Sequence, residues 1–211
     1  MTGAAWLAIL VAVVAAPVDW WAVARERLET EYVAKPLVLV ALIAAAAALT
    51  PGDAAVRTAV VVGLTLGLIG DVLLMLDRFI PGAAAFLLGH LAYLVAFLLV
   101  PQKGPFLFAG AIVIGILLGL VARPVVAGAR QRSTTLTVVI VAYLIVLGAV
   151  VVFGFGTGNP WLMAGVLLFA VSDALLAYGR FVGSAPGGRV AVHVTYHLAQ
   201  LLIVLSLPTL V

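Results

Sequence analysis

Asp71, His90, Asp173, His193 and His197 are ionisable side chains set inside runs that are otherwise almost wholly apolar. Such groups are costly in lipid and are kept mostly where they line a cavity or take part in function. A helix rises 1.5 Å per residue, which puts Asp71 roughly 8 Å, Asp173 roughly 9 Å and His90 roughly 12 Å in from the same end of their runs. The same count puts His193 roughly 8 Å and His197 roughly 14 Å deep. Five scarce polar groups in one depth band point to a common aqueous pocket. Two carboxylates facing one cavity tend to hold a single shared proton, which supplies one general acid and one general base at neutral pH. That division of labour cleaves acetal-like bonds. Asp71 and Asp173 are therefore the expected catalytic pair.

Around them, His90, Tyr93, Tyr196, His197 and Gln200 share or neighbour the same faces and are expected to orient the acids or a substrate. His193 and His197 stand four apart, the spacing of helical metal ligands, yet no nearby Glu completes a zinc signature. Hydrogen bonding is the expected role, with no metal. Lys35 precedes Pro36 at the start of the second apolar run. It either snorkels to the surface or grips a phosphate, a task Arg78 and Arg180 at the same surface can share. Asp77 reads as a solvated helix end. Gly63 and Gly67 form a small-xxx-small pair that permits close helix packing. The run from Gly154 to Gly158 lacks the lysine of a phosphate loop and reads as a turn. With no cysteine, thiolate metal sites, disulfides and cysteine nucleophiles are excluded, and the chemistry calls for no cofactor.

The elements that position these groups follow from the composition. Of 211 residues, 66% are hydrophobic and 9% charged, against about 25% charged in a soluble domain. The solvent of such a surface is lipid. An all-α polytopic membrane protein is predicted, a single transmembrane domain over residues 1–211. Its eight helices lie near 3–23, 35–50, 54–76, 82–100, 105–126, 133–153, 160–179 and 188–208, each near the roughly 20 residues a bilayer requires. The first run lacks a basic leader segment and reads as a retained helix. Breaks are expected at Pro51-Gly52, Pro81-Gly82, Pro101 with Gly104-Pro105, Gly154 to Pro160 and Pro186-Gly187-Gly188. The net charge of +3 is carried in short loops, a pattern of membrane orientation and not of a nucleic-acid surface. Arg25, Arg27, Lys35, Arg78, Arg123, Arg130, Arg132, Arg180 and Arg189 fall on one side, only Arg57 and Lys103 on the other. The richer side is assigned to the cytoplasm of a cell membrane, with both termini outside. Trp20, Trp21 and Trp161 sit near helix ends, as in an interfacial belt. The halves also echo each other: Gly70-Asp71-Val72-Leu73-Leu74 with Ser172-Asp173-Ala174-Leu175-Leu176, and His90-Leu91-Ala92-Tyr93 with His197-Leu198-Ala199-Gln200. They read as a parallel four-helix repeat.

One ordered set of residues resembles the YhhN-like lysoplasmalogenase family. The set is Lys35-Pro36; Gly70-Asp71 with Leu73-Leu74; Phe86, Gly89-His90, Tyr93 and Phe97; Phe169, Ser172-Asp173 and Leu176-Ala177; and Tyr196 with Gln200-Leu201. The blocks fall in helices 2, 3, 4, 7 and 8. The resemblance implies an eight-helix membrane hydrolase that cleaves the vinyl ether bond of a lysoplasmalogen, releasing a fatty aldehyde and a glycerophospho-base, with Asp71 and Asp173 as its motif aspartates. A lysophospholipid would lay its tail between helices and its phosphate near Lys35, Arg78 or Arg180. Two other readings use the same groups: a proton-coupled transporter of small molecules, and a lipid-binding protein without turnover. Polar groups confined to one half of the bilayer favour the hydrolase.

Overall fold

Backbone N–H and C=O groups find no water in hydrocarbon, so a spanning segment must bond them internally. The computed structural model describes residues 2–49 and 53–210, and these form eight α-helices closed by a short 3₁₀ turn. They are α1 (Gly3–Ala24), α2 (Leu28–Ala48), α3 (Ala54–Met75), α4 (Phe79–Leu98), α5 (Gly104–Arg132), α6 (Thr134–Gly156), α7 (Pro160–Phe181) and α8 (Gly188–Ser206). No strand occurs among the described residues. All eight are long and apolar enough to cross a membrane, and the protein is a multi-pass membrane protein. Side chains of Asp53, Ser133 and Asn159 accept from backbone N–H groups at the starts of α3, α6 and α7, supplying partners those groups lack within the helix.

Short loops make α1–α2, α3–α4, α5–α6 and α7–α8 close antiparallel hairpins. The helices contact one another in the cyclic order α1, α2, α3, α4, α6, α7, α8 and back to α1. Helix α5 packs on α6 and α7 from outside, which is why so few of its residues are buried. The ring encloses the polar groups.

Several boundaries differ from the expected ones. Helix α2 begins at Leu28, seven residues before Lys35, because Glu29 and Glu31 sit in its first turn, where the helix dipole favours anions. Pro36 is then accommodated inside the helix, as membrane helices tolerate. The α3–α4 break falls at residues 76–78, where Asp77 takes φ 57°. Pro81 lies in the first turn of α4, where its missing N–H leaves no bond unmade. Helix α5 runs through Pro124 to Arg132. Helix α6 continues through Gly156, so only the end of the glycine run is a turn, with Gly158 at φ 67°. The expected Pro51-Gly52 break lies outside the described residues.

Candidate active site

Helix α3 is small where the site is large. A Cβ on Gly63 would lie 2.5 Å from the ring of Tyr93, and one on Gly67 would lie 3.1 Å from Tyr196 Oη. The glycine pair thus admits two tyrosines from α4 and α8 against the α3 backbone. One turn further, Asp71 faces inward.

Within the ring lies a chamber of about 780 Å³. Its walls include Glu31, Lys35, Asp71, Asp173, His193 and Tyr196, and Asp77, Arg180 and Arg189 stand among its lining. Asp71 and Asp173, from α3 and α7, therefore line the same chamber. Each carboxylate nevertheless has a partner of its own. Lys35 Nζ lies 3.0 Å from Asp71 Oδ1, with both side chains buried. Lys35 does not snorkel outward; the earlier start of α2 sets it two turns into the helix, with its ammonium 5.9 Å over the Tyr196 ring.

Asp173 Oδ2 accepts a hydrogen bond from Tyr143 Oη at 2.9 Å and lies 3.1 Å from His90 Nε2. The latter contact is within ion-pair range but off hydrogen-bond alignment. His90 Nδ1 is 2.7 Å from the Phe86 carbonyl. A carbonyl only accepts, so Nδ1 carries hydrogen. A neutral ring then turns its Nε2 lone pair toward a carboxyl oxygen in a buried site. Asp173 thus meets a histidine and a tyrosine, whereas Asp71 meets a lysine ammonium. Tyr143 and Phe169 hold the His90 ring edge-on at centroid distances of 5.1 and 4.7 Å.

The remaining sequence candidates stand behind the chamber wall. Tyr93 Oη donates to Gln200 Oε1 at 2.6 Å, both side chains being buried. His197 Nδ1 accepts from Trp20 Nε1 at 3.1 Å. Trp20 is accordingly half-buried, whereas Trp21 and Trp161 are exposed. The repeat does not extend to partners: His90 serves the carboxylate of the other half, and His197 serves a tryptophan.

Four residues of this network were not singled out from the sequence. Asp19 is fully buried in α1 and was detectable by the rule that flagged Asp71. Glu31 and Arg189 bond each other, but Glu31 was assigned to a loop by the late start given to α2. Tyr143 had no spacing signal; only the packing of α6 on α4 and α7 gives it a role.

A second, apolar slot of about 50 Å³ lies among α3, α4, α6 and α7, with Ala83, Ile140, Leu144, Leu147 and Ala177 in its lining. It shares Asp173, Leu74, Phe79, Phe86 and Leu176 with the chamber. Asp173 is the one charged residue among the five shared by the chamber, which holds the ionisable side chains, and the apolar slot.

The sequence model of the YhhN family matches residues 30–207. This chain belongs to the YhhN family. The YhhN match takes in every residue of the hydrogen-bonded site except Asp19 and Trp20. Among curated relatives, Lysoplasmalogenase TMEM86B of Homo sapiens is 32% identical over 146 residues, 68% of this chain and 60% of that protein. Lysoplasmalogenase of Mycobacterium tuberculosis (strain CDC 1551 / Oshkosh) is 29% identical over 170 residues, 77% of this chain and 65% of that protein. Lysoplasmalogenase TMEM86B of Sus scrofa is 33% identical over 141 residues, 65% of this chain and 58% of that protein. The matched part of the chain thus spans about 60% of the length of these relatives. No solved structure matches this YhhN chain.

Proposed function

We propose that this YhhN protein hydrolyses the vinyl ether bond of a lysoplasmalogen-type lysophospholipid, releasing a fatty aldehyde and a glycerophospho-base. The observation that carries the reading is the position of Asp173. It lies where the chamber that holds the ionisable side chains meets an apolar slot, and a lysolipid has its reactive bond at the corresponding joint, between aliphatic chain and glycerol.

Vinyl ether cleavage starts with protonation of the β-carbon, which leaves an oxocarbenium ion for water to capture as a hemiacetal. The Asp173–His90 pair holds the proton for that step, and general acids of this kind contribute about 10² to 10⁴ in rate. Asp71, fixed by Lys35, contributes a preorganised ion-pair dipole to the wall of the same chamber. Tyr196 forms part of the chamber wall beside them. Tyr93 and Gln200 brace that wall from behind, as does His197.

The relatives named lysoplasmalogenase support the substrate class. The headgroup phosphate would meet Arg180 and Arg189 among the chamber's lining. The chamber lies toward the end of the ring that carries Arg25, Arg27, Arg78, Arg180 and Arg189, which would face the cytoplasm by the positive-inside rule and leave both termini outside. A chamber near one end of the bundle supports a hydrolase over a carrier, which needs access from both.

Aldehyde release by the detergent-purified protein tests the reading. A 1-alkenyl lysophospholipid should yield fatty aldehyde. The matched 1-alkyl ether should not, because it has no double bond to protonate. Absence of aldehyde from the alkenyl substrate would overturn the proposal.

A further inference from the structure

The steps assigned above leave the proton of the attacking water without an acceptor. Asp71 is poorly placed to take it: Oδ1 is held by Lys35, and Oδ2 is closed off from accessible space. Asp173 has the lipid side of the chamber. A third ionisable group lines the same chamber from α8.

His193 Nδ1 lies 2.7 Å from Asp19 Oδ2. Asp19 is fully buried on α1; as a carboxylate it only accepts, which sets the imidazole hydrogen on Nδ1 and the lone pair on Nε2. An aspartate behind a histidine orients the ring for proton transfer and stabilises the imidazolium it becomes. His193 Nε2 lies 4.0 Å from Glu31 Oε1, and that oxygen is itself held by Arg189. Two acceptors at this separation can both be reached by one water, each at about 2.8 Å. The chamber therefore has, one helical turn from Tyr196, an acceptor pair that suits a water molecule, and among the described residues no hydrogen-bond donor meets the Nε2 lone pair.

Resting on the hydrolase reading above, we infer that His193, oriented by Asp19, is the general base that activates water for capture of the oxocarbenium ion. The proton balance closes. Asp173 gives its proton to the β-carbon. Water oxygen bonds to the oxocarbenium carbon and passes one proton to His193 Nε2, forming the hemiacetal. The hemiacetal hydroxyl then returns a proton to the Asp173 carboxylate as the carbon–oxygen bond to glycerol breaks, and His193 delivers its proton to the departing glycerol oxygen. Aldehyde and alcohol leave, and both residues regain their starting forms.

The competing role for this dyad is mechanical, a tie between α1 and α8. His193→Asn separates the two, because the asparagine amide can keep the bond to Asp19 while the Nε2 acceptor is lost. As a general base, His193 should show a kcat at least about 100-fold lower in His193→Asn, with KM and thermal unfolding in detergent near wild type. His193→Ala should regain turnover when imidazole is added, which no helix tie predicts. A His193→Asn variant with wild-type kcat, or one altered only in KM, overturns the inference. A wild-type protein that releases no aldehyde overturns the hydrolase reading, and this one with it.

Discussion

Asp71 and Asp173 stand at matching places in two halves of the chain, each late in the second-last helix of its half, and both line one chamber. Their surroundings differ in kind. Asp71 faces a lysine ammonium at 3.0 Å, a partner that carries a full charge. Asp173 faces a tyrosine hydroxyl and a histidine whose other nitrogen is already committed to a carbonyl. One carboxyl is paired with a buried ammonium, the other is set among hydrogen-bonding groups. Similar sequence context has yielded two different settings, because the neighbouring helices supply different partners; in the proposed hydrolysis Asp173 is the acid and Asp71 the electrostatic fixture.

The sharpest way to break that comparison is Asp173→Asn. Its shape and hydrogen-bonding capacity are nearly kept, so stability should hold, while aldehyde release should fall by about 10³-fold or more, in line with loss of a general acid and its coupled partner. Equal loss of stability and activity would show the two aspartates to be alike.

Asp71→Asn should act in the opposite manner. It leaves the Lys35 ammonium buried without a counter-charge, which costs about 3–5 kcal/mol. Chemical or thermal unfolding in detergent measures this, and the double change Asp71→Leu with Lys35→Met should recover much of the stability without recovering turnover. If the single change proves neutral, Lys35 is not bound to Asp71 in the working protein.

Tyr143→Phe removes one donor to Asp173 and nothing from Asp71. Turnover should drop about tenfold, a loss of roughly 1.4 kcal/mol in the transition state, with KM little changed. The smallest effect should come from Trp20→Phe. It releases His197 Nδ1 on the far side of the wall and should cost about 1 kcal/mol of stability, with turnover near wild type.

The eight apolar runs were readable because crossing hydrocarbon sets both a length and a composition, and their number matches the eight helices found. Their ends were less readable. Helix α2 starts seven residues before the run expected from Lys35 and continues through Pro36, and the break expected at Pro81-Gly82 falls earlier, with Pro81 in the opening turn of α4. The earlier start of α2 bears on the site, since it brings Glu31 into the helix and sets Lys35 two turns inside it. The place of Trp20 near a helix end predicts an interfacial anchor, yet its indole N–H is bonded to His197 within the bundle.

What the sequence determined by itself was depth. A fixed rise of 1.5 Å per residue converts position in a run into distance from its end, so Asp71, His90, Asp173 and His193 could be placed in one band before any packing was known. Partners were decided only by tertiary structure. Whether Nε2 of His90 meets Asp173 or Asp71, and whether Asp19 lies behind His193, depends on how each helix is rotated about its axis and which helix stands beside it. Those angles come from the packing of glycines, aromatics and aliphatic side chains around the whole ring, and no spacing along a single helix encodes them.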